Sequence, residues 1–138
     1  MQPLAMKEDG TPADTGVAIG DVIRKVSALG VPLYDYFDGL IGELELNGYD
    51  EGTDLFVFPY DWRLDIQDNS AKLKEKIDLV GARTSSDKVN IMAHSMGGLA
   101  VKQYILDNPN AKIDKLIFVG TPHLGAPKAF KALMFGDQ

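Results

Sequence analysis

Ala93-His94-Ser95-Met96-Gly97-Gly98 decides the fold of this chain. The apolar run Val89-Asn90-Ile91-Met92-Ala93 before it reads as a buried strand, and Leu99 to Leu106 after it reads as a helix. A strand, a sharp turn centred on Ser and a helix make a nucleophile elbow. The strained turn pushes the Ser95 hydroxyl out at the carboxyl edge of a sheet. The backbone N–H of Met96 then faces the same space, where it can stabilise an oxyanion. Ala93 stands at the first position of the G-x-S-x-G pattern, and a methyl is the smallest possible departure from it. Gly97 and Gly98 keep the turn tight, and Gly97 is expected to face the strand where a larger side chain would push the helix away.

Outward from the elbow, helices and strands alternate. Pro32 is expected to open a helix in which Leu33, Phe37, Leu40, Ile41 and Leu44 recur at helical spacing and which stops at Asn47-Gly48. Leu55-Phe56-Val57-Phe58 reads as a short strand, and Ala71 to about Arg83 as a helix with Leu73, Ile77 and Val80 on one face. Lys115 to Gly120 reads as another strand. Pro127 to about Phe135 reads as an amphipathic helix that begins a lid, lines a groove or makes ordinary core contacts. Residues 1–16 read as loop, and Val17 to Val26 as an irregular strand or hairpin. Continuous apolar strands between helices imply a parallel sheet with helices on both faces. Three loops then meet at its carboxyl edge: Pro59 to Arg63, the elbow, and Thr121 to Ala126.

Composition narrows the chemistry. The 138 residues suit one domain, and 45% hydrophobic residues can supply its core. A net charge of -6 argues against a nucleic-acid partner. There is no cysteine, and the two histidines are His94 and His123, so no metal site is expected. No apolar run approaches the length of a membrane span.

Three segments carry a family likeness: Phe58-Pro59-Tyr60-Asp61-Trp62-Arg63-Leu64, the elbow, and Val119-Gly120-Thr121-Pro122-His123-Leu124-Gly125-Ala126-Pro127. In this order and spacing they resemble the lecithin:cholesterol acyltransferase-like family of α/β-hydrolases, over about residues 30–130. The Tyr60-Asp61-Trp62-Arg63 box is more specific to that family than the elbow. The resemblance implies an α/β-hydrolase-like fold and ester chemistry on lipids, either acyl transfer or hydrolysis, with the substrate met at a membrane or lipoprotein surface. It makes Ser95 the nucleophile and the Met96 N–H an oxyanion donor, and it implies no cofactor. It also implies a second oxyanion loop upstream, and an Asp and a His on later strands.

Those partners are not legible here. Hydrolases of this fold run Ser, acid, His, and the only acids between Ser95 and His123 are Asp107 and Asp114. Asp107 lies about 18 Å along the elbow helix at 1.5 Å per residue. Asp114 precedes its strand and so lies at the opposite edge, roughly 17–20 Å away. His123 is on the correct edge, either as an improvised base or as a wall of the site; the resemblance favours the wall. Asp61 is the other acid on that edge, and is expected to cap or pair locally with Arg63 while Trp62 packs the loop against the core. Tyr60, Asp61, Trp62, Arg63, His94 and His123 are therefore candidate wall residues, with the His94 ring packing beside the strand. The chain is expected to be an incomplete α/β-hydrolase domain over 1–138, with its core at about 30–135, inactive by itself. Two other readings remain: a non-catalytic lipid-binding or interaction module that keeps the elbow as scaffold, and another serine hydrolase such as a thioesterase or peptidase.

Overall fold

The computed structural model describes residues 5–13, 19–28 and 31–136. It is a mixed α/β arrangement of four strands and four helices among those residues. Strands β1 (Lys25–Ala28) and β2 (Val31–Asp35) form an antiparallel pair in which Lys25 faces Asp35 and Ala28 faces Val31. Helices α1 (Asp38–Leu46) and α2 (Ile66–Thr84) follow. Strand β3 (Val89–His94) then leads through the elbow into α3 (Gly97–Asp107), which crosses over to β4 (Ile113–Val119). The pair β3–β4 is parallel, with Ala93 opposite Phe118 and His94 opposite Val119. Both strands thus deliver their following loops to one edge. Helix α4 (Pro127–Phe135) closes the described chain.

Helix α2 is longer than its apolar stripe suggests because it is capped early. The Asp65 carboxylate accepts from the Gln67 N–H at 2.8 Å, satisfying a first-turn donor. The helix ends at Ser85, whose φ of 55° is left-handed. Its Leu73 and Ile77 pack with Ala93 of β3 and with Val101 and Tyr104 of α3 to form the core, flanked by Phe58, Val89, Ile91, Ala111, Ile113 and Leu116. The Tyr104 hydroxyl accepts from the Lys112 N–H at 3.2 Å, so a core side chain also anchors the entry to β4. Outside, Lys112 and Lys74 both bond the Asp78 carboxylate and hold its pKa down at about 2.

The structure departs from the sequence reading in its peripheral elements and its layering as well. Residues 31–35 are strand and not the start of a helix, because Pro32 keeps Val31 extended and the segment finds a ladder partner in β1. The helix begins only at Asp38, where the Asp35 side chain accepts from the Gly39 N–H at 3.0 Å. A Cβ at Gly39 would lie 2.9 Å from that carboxylate, so glycine suits the turn. Leu55 to Phe58 is half-buried but not a strand: its one bridge joins Leu55 to Glu51. An apolar run becomes a strand only when another strand satisfies its backbone groups. In the stretch expected as an irregular strand or hairpin, regular pairing starts at Lys25, and residues 17 and 18 lie outside the described residues. Finally, α2 and α3 share one core with β3, while Met92 and Ile117 are about half exposed on the sheet's other face. Among the described residues, helices do not cover both faces there.

Candidate active site

Ser95 has φ 53°, a left-handed conformation rarely adopted outside glycine, at the turn between β3 and α3. The turn is pinned on both sides. The Ser95 N–H donates to the Val119 carbonyl at 2.9 Å, tying the elbow to the end of β4. The Gly98 N–H donates back to the Ser95 carbonyl at 3.0 Å and the Leu99 N–H to Met96 at 2.9 Å, which starts the helix immediately. Ser95 is exposed as a result. The Met96 N–H donates to no group among the described residues and sits at the positive end of α3. A hydroxyl beside a free N–H at a helix N-terminus is the arrangement that acyl transfer needs.

The close approach under the elbow is made by Gly98, not by Gly97 as expected. A Cβ at Gly98 would lie 2.0 Å from Thr121 Oγ1 and 2.6 Å from its Cγ2, so the first turn of α3 rests directly on the loop after β4. Thr121 Oγ1 is buried with no hydrogen-bond partner among the described residues. At Gly97 a Cβ would make ordinary 3.5 Å contacts with the Tyr60 ring and hydroxyl. The sequence placed Thr121-Pro122-His123 at the wall of the site, but neither the seat of Thr121 beneath Gly98 nor this division of labour between the glycines was read from it. The signal was present only as the Gly120-Thr121-Pro122 run at the end of a strand.

The box from Tyr60 to Arg63 thus reaches the elbow through Tyr60. Its half-buried ring stacks on Phe58 at 6.1 Å, and burial pushes the phenol pKa up. Asp61 and Arg63 pair in a fork: Nε to Oδ1 at 2.9 Å and Nη2 to Oδ2 at 2.6 Å, with side chains only 12% and 3% exposed. That bonding holds the Asp61 carboxyl below the usual carboxylate range. The Asp61 carbonyl also accepts from Asn69 Nδ2 of α2 at 2.9 Å, a buried support that the sequence reading missed. Trp62 does not pack against the core as expected; it is 64% exposed. With its two neighbours anchored inward, the residue between them is turned out.

The histidines make aromatic contacts. His94 meets Phe37 edge-on at 5.8 Å, and His123 meets Phe118 edge-on at 4.8 Å. Neither imidazole hydrogen-bonds Ser95 among the described residues. Asp107 accepts from Gln103 at the far end of α3, and Asp114 is grouped with Ser86, Asp87, Lys88 and Asn90 at the opposite edge of the sheet. Asp137 lies outside the described residues. No group of three or more His, Asp or Glu side chains among the described residues could hold a metal ion. No helix among them is long and apolar enough to cross a membrane.

Comparison with known proteins identifies the family. The lecithin:cholesterol acyltransferase family model matches residues 15–138. Phospholipase A(1) LCAT3 of Arabidopsis thaliana is 37% identical over 100 residues, covering 67% of this chain and 22% of that protein. Lecithin-cholesterol acyltransferase-like 4 of the same plant is 31% identical over 112 residues, 78% of this chain and 21% of the relative. The lysosomal phospholipase A and acyltransferase of Homo sapiens is 33% identical over 110 residues, 75% of this chain and 26% of the relative. No solved structure matches significantly. The chain therefore spans about a fifth to a quarter of the length of these relatives. On the match across almost all of its residues, the chain belongs to the lecithin:cholesterol acyltransferase family.

Proposed function

We propose that this chain carries the nucleophile of a lipid-ester acyltransferase or lipase, within a single α/β-hydrolase domain. Ser95 Oγ attacks the ester carbonyl while a base takes its proton. The tetrahedral oxyanion is held by the Met96 N–H and a second donor, and collapses to an acyl-enzyme with release of the alcohol. An alcohol acceptor then gives transfer and water gives hydrolysis. The observation that carries the reading is the left-handed Ser95 beside the unpaired Met96 N–H at the start of α3. The names of the relatives, phospholipase and acyltransferase, support phospholipid-type esters as the substrate class. The substrate is met at a membrane or lipoprotein surface.

Tyr60, Thr121 and the Asp61–Arg63 fork form the structural frame of the site in this reading, and His94 and His123 its walls. Among the described residues neither imidazole bonds Ser95, and in this reading the 138-residue chain is inactive by itself. The test uses the polypeptide as the cell makes it. Incubation with an alkyl fluorophosphonate, followed by peptide mass spectrometry, should place the adduct on Ser95. Ser95→Ala should abolish both the adduct and release of fatty acid from phosphatidylcholine. The absence of any adduct would sink the serine mechanism and favour a lipid-binding module. Faster turnover of thioesters or amides than of lipid esters would move the enzyme to another serine hydrolase class.

A further inference from the structure

Two loops bear on the first turn of α3, and each touches a different glycine. The exit of β4 ties the elbow through the bond from the Ser95 N–H to Val119 and through Thr121 beneath Gly98. The second loop reaches it through Tyr60. The Tyr60 Cε1 and hydroxyl oxygen both lie 3.5 Å from the point that a Gly97 Cβ would occupy, and the three nearest atoms to that point all belong to Tyr60. The edge of the ring therefore rests on the residue that opens α3, two positions after Ser95.

The rest of the box holds that ring in place. Asp61 Oδ1 accepts from the Arg63 backbone N–H at 3.1 Å, in addition to the side-chain fork, and the Leu64 N–H donates to the Asp61 carbonyl at 3.1 Å. Asn69, fully buried on α2, donates from Nδ2 to the Asp61 carbonyl and, at 3.4 Å, to the Leu64 carbonyl. Burying an ion pair and an amide adds little net stability, because the loss of hydration offsets most of the attraction. What such bonding supplies is a fixed backbone, and the backbone it fixes begins next to Tyr60.

We propose that Tyr60 is a positioning residue for Ser95: its ring braces the start of α3 at Gly97 and keeps the elbow in the left-handed turn that presents the hydroxyl. The inference rests on the serine reading above and adds to it the side chain that steadies the nucleophile. A left-handed turn at a residue other than glycine costs about 1–2 kcal/mol and persists only where its surroundings over-determine it. The exit of β4 supplies one set of restraints, and Tyr60 supplies the other. Without the ring, the first turn of α3 relaxes and carries the Ser95 hydroxyl and the Met96 N–H with it. A shift of about 1 Å in a reacting group costs up to about a hundredfold in rate.

The test is the kinetics of alkyl fluorophosphonate labelling of the natural polypeptide, well below its unfolding midpoint. Tyr60→Ala should lower the maximal rate of inactivation about tenfold or more and leave the half-saturating reagent concentration within about twofold. Tyr60→Phe keeps the ring and should recover most of that loss. If Tyr60→Ala does not fold, Tyr60→Leu, which keeps apolar bulk without the flat ring, takes its place with the same expected loss. Ile41→Ala, at a buried position of α1 outside the main core, should lower the unfolding midpoint while labelling at the parent's rate, which separates positioning from mere destabilisation. Asp61→Asn should slow labelling in the parent and add no further loss to Tyr60→Ala, because the fork acts through the ring. Labelling of Tyr60→Ala at the parent's rate overturns the proposal, as does a Tyr60→Phe variant as slow as Tyr60→Ala. An Ile41→Ala variant slowed as much as Tyr60→Ala, or losses that add in the Asp61→Asn double variant, overturn it too. A parent that is never labelled removes the serine reading and the proposal with it, whereas a labelled parent with an unaffected Tyr60→Ala removes the proposal alone.

Discussion

The segment from β1 to α1 is no poorer in apolar residues than the segment from α2 to β4, yet the two end up very differently. In the first, Leu73, Ile77, Ala93, Ala100, Val101 and Tyr104 are all buried. In the second, Ile41 is the one residue of α1 that is buried, and Leu40 and Leu46 stand 41% and 82% exposed. The difference comes from layering. A helix on each side of β3 in the sequence, both packing on the same sheet face, encloses side chains from three elements at once. The β1–β2 pair and α1 have no such third layer among the described residues, so Val26, Tyr34, Leu40 and Leu46 stay exposed. The elbow is built in the enclosed segment, where strain at Ser95 can be held.

The largest expected effect tests this division directly. Leu73→Ala should cost about 2–5 kcal/mol in urea unfolding, whereas Leu46→Ala should cost no more than about 0.5 kcal/mol. Equal costs would mean that the two segments are packed alike. Next is the fork that anchors the Tyr60 loop. Asp61→Ala removes the fork that the buried Arg63 guanidinium makes with this loop, and should cost about 3 kcal/mol at neutral pH. Its pH dependence has a definite sign. The folded-state pKa of Asp61 lies below the ordinary value of 3.8. Its contribution is therefore complete above about pH 4 and is lost as pH falls through the lower folded value. The gap between parent and Asp61→Asn midpoints should accordingly shrink in acid; a gap that stays constant would mean the fork does not titrate.

Gly98→Ala should cost about 1–3 kcal/mol through its collision with Thr121. Adding Thr121→Gly should recover part of that, and additive costs in the double-mutant cycle would place the contact elsewhere. The smallest effect separates strain kept for packing from strain kept for chemistry. Ser85→Gly, at φ 55°, should stabilise the protein by up to about 1 kcal/mol with Ser95 labelling unchanged. Ser95→Gly, at φ 53°, should stabilise comparably and abolish labelling. If Ser95→Gly instead destabilises, the hydroxyl itself holds the turn.

Much of the enclosed segment was legible before any coordinates. The apolar run ending at Ala93, the Ser-x-Gly-Gly turn and the stripe Leu73–Ile77 are local patterns, and local patterns encode helix and strand faithfully when each element packs on its sequence neighbours. The Asp61–Arg63 pairing was legible for the same reason, since only Trp62 lies between the partners. The peripheral segment was not. The sequence placed a helix at Pro32 and a strand at Leu55 to Phe58, and both depended on whether a second strand lay alongside.

By itself, then, the sequence determined the elbow, the βαβ order around it and the family to which its motifs belong. The tertiary structure alone decided that Gly98 and not Gly97 bears the close contact, that Trp62 faces outward and that α4 keeps its apolar stripe uncovered. Periodicity and turn chemistry are properties of neighbouring residues, whereas contact and burial belong to whichever distant segment arrives in the same space.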